Sequence, residues 1–184
     1  VALRANSGGA LAKAAADGYT LLVTASTIVL NPSLFKPLPY DPVKDFAPVM
    51  PLAIGSLALV AHPSLPAKTA KELMSFAKAR PDEINYASPG NGTPHHLAME
   101  FFKQRAGLRL THIPYKGTAG AVTDLLAGQV SVMFLPIHVA LPYAQDGKLR
   151  VLAAGGTRRA AATPAVPSLT EAAGIGDIDL DIWY

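Results

Sequence analysis

An α/β fold, with a mostly parallel sheet flanked by helices, follows from three observations on this chain of 184 residues. From about residue 69 to 174, helix-type and strand-type patterns alternate. The strand-type runs there are near-continuously apolar, as in Val130-Ser131-Val132-Met133-Phe134-Leu135, which suits strands covered on both faces. Capping and breaking residues fall at the joints between the runs.

Each element has its own signal. The chain opens in a helical pattern, and the Ala-rich residues 10–16 continue it until Asp17-Gly18. Residues 19–25, YTLLVTA, are a short β-type run. Residues 26–42 carry Pro32, Pro37 and Pro39 and read as loop plus a turn of helix. Residues 46–61 hold two β-like runs, broken near Gly55-Ser56. Thr69 and Glu72 form a capping box for a helix to about Arg80, ended by Pro81. Residues 84–87 are a strand, followed by the turn-rich Ser88-Pro89-Gly90-Asn91-Gly92. Thr93 and Pro94 suit the N-cap and first position of a helix through Gln104, closed by Gly107. Residues 110–113 are a strand, 114–117 a tight loop, and 118–127 a helix with Gly128 at its end. A strand over 130–135, a helix over 138–145 stopped by Gly147, and a strand over 149–154 follow. After a loop over 155–167, Ser168 and Glu171 form a second capping box for a short helix ended by Gly174. Residues 178–183 read as a final strand.

Composition narrows the function classes. Half of the residues are apolar and 16% are charged, which excludes intrinsic disorder. No Gly-X-Y or heptad period runs along the chain, which excludes collagen-like and coiled-coil classes. With no cysteine there is no disulfide, thiolate metal site or cysteine nucleophile. Sixteen Lys and Arg against 13 Asp and Glu give a formal charge of +3. The basic residues form no run beyond Arg158-Arg159, and aromatics do not interleave with them, so no nucleic-acid partner is expected. The longest apolar stretches, 51–61 and 130–144, are interrupted and fall short of the roughly 20 residues that span a bilayer. Neither end reads as a natural terminus, because the first residues lie inside a helical pattern and Asp181-Ile182-Trp183-Tyr184 inside a strand-like one. A fragment is therefore expected.

Two loops stand out chemically. SPGNG at 88–92 and PYKG at 114–117 each join a strand to the start of a helix. In open α/β sheets the carboxyl ends of strands line the ligand crevice. Helix N-termini there present N–H groups and partial positive charge, which suits a carboxylate or phosphate. On pattern alone, an anion site of Ser88, Asn91, Gly92, Thr93, Gly117 and Thr118 and a pair of ordinary capped turns both remain open. Neither loop is a P-loop, and no G-x-G-x-x-G follows a strand. His96 and Glu100 share a helix face, but the three-ligand pattern of a catalytic zinc site is absent, so no metal and no other cofactor is expected. His62, His112 and His138 read as hydrogen-bonded packing residues, and Lys116, Arg158 and Arg159 as solvated. Tyr115 can wall the cleft or pack on the sheet. G-x-S-x-G is missing, and no acid–base pair is singled out, so no catalytic residue is named.

An ordered set of motifs goes further. It runs Asp17-Gly18-Tyr19-Thr20-Leu21-Leu22, Asn31-Pro32-Ser33-Leu34, Leu38-Pro39-Tyr40-Asp41-Pro42-Val43-Lys44-Asp45-Phe46-Ala47-Pro48-Val49 and His62-Pro63-Ser64-Leu65-Pro66-Ala67-Lys68. Asn85-Tyr86-Ala87-Ser88, Gly90-Asn91-Gly92-Thr93, Pro114-Tyr115-Lys116-Gly117 and Asp124-Leu125-Leu126-Ala127-Gly128-Gln129-Val130 follow. Gly147-Lys148-Leu149-Arg150 and Pro164-Ala165-Val166-Pro167-Ser168 complete it. Over nearly the whole chain the sequence resembles the tripartite tricarboxylate transporter solute-receptor (TctC) family, also called the Bug family of periplasmic binding proteins.

The resemblance implies a two-lobed, type II Venus-flytrap receptor that is periplasmic, its signal peptide absent from this chain. It implies capture of a small organic carboxylate and no enzymatic turnover. The implied partners are the permease subunits of a tripartite transporter in the membrane, and in a signalling role a sensor kinase. By analogy, residues 1–60 are part of lobe one, 61–176 a nearly complete lobe two, and 177–184 a return toward lobe one. Hinge motion would centre near 58–62 and 177–182. The ligand-binding positions carried over are Ser26 and Thr27, then Ser88, Asn91, Gly92 and Thr93, then Gly117, Thr118 and Ala119. One departure is that many members place an Asp after the Val-Met-Phe strand, where this chain has Leu135-Pro136. That points away from an amino-acid ligand. An incomplete lobe one would expose more than a few hundred Å2 of apolar surface and would bind ligand poorly by itself. The alternatives are the ligand-sensing domain of a regulator and a hydrolase using Ser88 or His95/His96.

Overall fold

In a computed structural model the structure describes residues 2–159, 163–175 and 180–184. The chain divides into two compact units, residues 1–54 with 182–184, and residues 55–181.

The first unit holds α1 (Ala2–Leu11), a 3-10 turn (Ser26–Val29) and α2 (Asn31–Leu34). The strand β1 (Ile54–Gly55) begins at its end and pairs with the strand that closes the chain. Two glycines seat α1, since a Cβ on Gly8 would fall 2.5 Å from Tyr40 Cε1 and one on Gly9 3.0 Å from Pro39 Cγ. Tyr40 is buried there, accepts from Asn31 Nδ2 at 2.7 Å, and meets Phe46 edge-on at 5.3 Å.

Three expectations fail in this unit. The Ala-rich helix over 10–16 stops at Leu11, and the chain leaves through short bonds such as Ala14 N–H to Leu11 O. Beyond Leu11 the residues are mostly exposed, and alanine propensity without an apolar face does not sustain a helix. Residues 19–25 form no strand. Their alternation is real, but Tyr19, Leu21 and Val23 are exposed, and no described strand bonds to them. Of the run from Phe46, only Ile54–Gly55 is strand; Val49, Met50 and Leu52 are exposed in the same way.

The second unit is an α/β sandwich. Its elements are β2 (Leu57–Ala61), α3 (Ala70–Ala79), β3 (Asn85–Ser88), α4 (Pro94–Ala106), β4 (Thr111–Pro114) and α5 (Thr118–Leu126). There follow β5 (Val132–Pro136), α6 (Ile137–Gln145), β6 (Arg150–Ala154) and α7 (Leu169–Ala173); β7 (Ile182–Trp183) closes the chain. The expected start of β7 at 178 lies outside the described residues.

The sheet order is β4-β3-β5-β2-β6. β3 is parallel to β4 and β5, whereas β2 is antiparallel to β5 and β6. The sheet is therefore mixed, with four strands running one way and β2 against them. An apolar run such as LALVA is buried in either direction, which is why its sequence is silent on polarity. One face carries Ala58, Val60, Ala87, Met133 and Leu135 against Ala121, Val122 and Leu125 of α5 and Ile137 and Ala140 of α6. On the other face Phe134 meets Phe102 of α4 edge-on at 6.3 Å.

The capping signals hold with one change. Ser168 and Glu171 form the reciprocal box at α7. At α3, Thr69 Oγ1 accepts Glu72 N–H at 3.1 Å, but the Glu72 carboxylate takes the N–H of Lys68, not that of Thr69. Arg159 is exposed, as expected, and on the surface it donates to Glu171 at 2.8 Å and to Pro164 O at 3.0 Å. Ser168→Ala is expected to lower the unfolding free energy by about 1 kcal/mol, read as a lower urea midpoint at constant m.

Candidate functional site

Register brings the two glycine loops together. In the β3–β4 pair Ser88 lies opposite Pro114, and Tyr115 N–H donates to Ser88 O at 2.9 Å. Both loops thus leave the carboxyl edge of the sheet side by side. A Cβ on Gly90, whose φ is +134°, would sit 3.2 Å from Tyr115 O, so glycine is required where the loops touch.

The first loop is closed by its own bonds. Ser88 Oγ accepts Gly90 N–H at 3.2 Å, and Thr93 Oγ1 donates to Gly90 O at 2.8 Å. Thr93 Oγ1 also accepts His96 N–H, the N-cap bond of α4, at 3.3 Å. Gly92 N–H is taken by His96 Nδ1 at 3.2 Å. The second loop differs. Gly117 is the N-cap of α5 and supplies no side-chain cap to the first-turn N–H groups of that helix. Tyr115 packs back on α5, donating to Asp124 at 2.6 Å. Burial, then Asp124, pushes its phenol up to about 12, so it stays a neutral donor.

The expected site residues occupy distinct places. Ser88 and Thr93 are buried and hold the loop's shape. Asn91 and Ala119 are exposed, while Gly92, Gly117 and Thr118 are half-buried. These seven positions share one end of the second unit. Ser26 and Thr27 open the 3-10 turn of the first unit, where Thr27 is buried. Lys116 is exposed.

Beneath the first loop lies a polar cluster that the sequence reading missed. Tyr86 and Ser88 project from one face of β3, and His112 lies opposite Tyr86 on β4. Ser88 Oγ and His112 Nε2 are 2.7 Å apart. The His112 ring stacks on Tyr86 at 4.6 Å and on His96 at 4.3 Å. From α4, Glu100 accepts from Tyr86 Oη and from Lys103 Nζ, the latter at 2.6 Å. Burial pushes Glu100 up, but the bonds from Lys103 and Tyr86 outweigh it and leave the carboxyl below its usual range. Burial, then Glu100, raises Tyr86 well above the usual phenol value. His96 and Glu100, considered as metal ligands, are here a stacking ring and a carboxylate shared by two donors. The helix stripe His96, Glu100, Lys103 and the strand pair Tyr86, Ser88 are the signals that mark this cluster in the sequence.

The family model for the tripartite tricarboxylate transporter family receptor matches residues 4–184. The UPF0065 protein in gbd 5'region of Cupriavidus necator is 42% identical over 163 residues, covering 88% of this chain and 49% of that one. The chain thus spans about half the length of this curated relative. Three solved structures are similar in fold, each 30% identical over 97% of this chain. They are Rpa4515 of Rhodopseudomonas palustris with adipate (TM-score 0.87, 60% of that chain), the periplasmic binding protein BugD (0.88, 60%) and MatC of the same Rhodopseudomonas species with bound malate (0.86, 61%).

Proposed function

The chain belongs to the tripartite tricarboxylate transporter receptor family, and from that premise we propose that it is part of a periplasmic receptor for a small organic carboxylate. The carrying observation is the pair of adjacent loops at the sheet's carboxyl edge, the second ending at a helix start with no side-chain cap. N–H groups at such a terminus, with the helix dipole behind them, favour a carboxylate oxygen over water. Asn91, Gly92, Gly117, Thr118 and Ala119 supply that half of the site, with Ser88 and Thr93 fixing the loop beneath. Ser26 and Thr27, in the first unit, are the positions that the other lobe of such a receptor supplies. The ligand-bound relatives support the reading, since adipate and malate are both dicarboxylates.

The head group is read by backbone N–H groups and the tail by what surrounds it. Leu135, where an acidic residue would hold an amine, is fully buried in the apolar core. With no carboxylate at that position to hold an amine, an amine-free acid is the expected ligand, passed on to permease subunits in the membrane. Calorimetry on the whole protein tests this with adipate, malate, citrate, glutamate and aspartate. Binding of an amine-free acid at micromolar Kd or tighter is expected, with glutamate and aspartate at least tenfold weaker. No binding of any acid overturns the receptor reading, and tighter glutamate or aspartate overturns the ligand class.

A further inference from the structure

We propose that His112 is a positioning residue for the carboxylate loop, acting through Ser88, and that the stacked His112 and His96 rings make the loop's hold on an anion depend on pH. The inference rests on the carboxylate reading above. Ser88 is fully buried, and its hydroxyl meets only three polar groups among the described contacts: His112 Nε2, Gly90 N–H and Gly90 O. With a neutral His112 whose Nε2 carries the lone pair, Ser88 donates to the ring and accepts Gly90 N–H. The turn is then complete, because Gly90 O already receives Thr93 Oγ1–H at 2.8 Å and Thr93 N–H at 3.3 Å.

A protonated His112 can only donate. It claims the Ser88 oxygen and turns the Ser88 proton toward Gly90 O, where a third donor competes for two lone pairs. Protonated His96 fails in a second way, because its Nδ1 no longer accepts Gly92 N–H. Both events undo the same turn, and that turn sets the Asn91 and Gly92 backbone.

The surroundings oppose the charge. From β3, Tyr86 and Ser88 face His112; from α4, His96, Glu100 and Lys103 do. Burial, then His96 and Lys103, holds His112 down to about 4 from its ordinary 6.5, with Glu100 pulling the other way. Burial lowers His96 too, with Glu100 opposing and Lys103 assisting. In sign, a depressed histidine stabilises the latched loop fully above its free value of 6.5 and loses that contribution as pH falls toward about 4. Anion affinity follows the latch.

The test is NMR of the histidine rings and the Gly90 and Gly92 amides of the whole protein, with adipate calorimetry over the same pH range, for wild type, His112→Gln and Ser88→Ala. The His112 midpoint is expected well below 6.5, with both amides shifting at that midpoint and uncoupling from it in Ser88→Ala. Wild-type affinity is expected to fall roughly twofold at the His112 midpoint and roughly tenfold one pH unit below it, relative to His112→Gln, whose amide group keeps a partner for Ser88 and cannot titrate. Taking that ratio cancels protonation of adipate itself. Amides indifferent to the His112 titration overturn the proposal, as does a His112→Gln profile parallel to wild type. Coupled amides with no carboxylate binding at any pH support the latch and refute the carboxylate reading.

Discussion

Phe134→Ala is expected to lower the unfolding free energy by about 3–5 kcal/mol. Phe134 is fully buried on β5, in the middle of the sheet, with Leu59 of β2 beside it and the Phe102 ring edge-on at 6.3 Å. Truncation removes most of a large apolar side chain and the ring–ring contact together. Strands bonded on both sides relax little around the void, so the cavity cost stays. Against a domain stability of about 5–15 kcal/mol, the loss brings the unit close to unfolding at room temperature. Urea unfolding followed by circular dichroism measures it. A loss below about 1 kcal/mol, within the range of surface substitutions, contradicts the packing described here.

Gly117→Ala is expected to weaken carboxylate binding roughly 10- to 100-fold with a far smaller effect on melting temperature. At φ +142° and ψ 171° Gly117 occupies a region open essentially to glycine alone, at a cost of about 1–3 kcal/mol for any other residue. An added Cβ meets nothing within 4 Å, so the penalty is purely torsional. The exposed loop relieves it by moving, which swings the first N–H groups of α5 away from the ligand, and each 1.4 kcal/mol is about tenfold in affinity. Gly147→Ala is the control. Gly147 also has positive φ, +69°, and open space around it, but it ends α6 away from both loops. It is expected to cost stability and leave affinity unchanged. Equal affinity losses in the two variants would show that Gly117 acts through folding alone.

The second unit was legible because its signals are local. Thr93, Ser168, Gly107 and Gly174 cap helices within a few residues of where the chain bends, and they do so whatever the tertiary context. The run at 19–25 was not legible because a strand needs a partner. Tyr19, Leu21 and Val23 alternate correctly and still form no ladder, and local pattern carries no information on what lies beside it. The polarity of β2 was hidden for the same reason. In the candidate site, the loops were visible as glycine-rich junctions, but the Ser88–His112 contact was not. It joins diagonal neighbours on parallel strands, and only the Ser88–Pro114 register brings them together. A histidine read by itself looks like packing, and the network appears only when two strands and a helix face are superposed.

The antiparallel β2 also governs how this unit is made. It comes first of the five strands in the chain yet bonds to β5 and β6, so Ala58 waits for Leu135 on one side and Ala154 on the other. Contact order is high, and loop-closure entropy is spent before any of these contacts returns it. Until Val132–Pro136 has been made, Leu57–Ala61 is an apolar strand with two open edges, and until Arg150–Ala154 has been made one edge stays open. Folding of the unit is expected to be slow and largely post-translational, and in that interval the nascent chain is a natural client for a holdase chaperone.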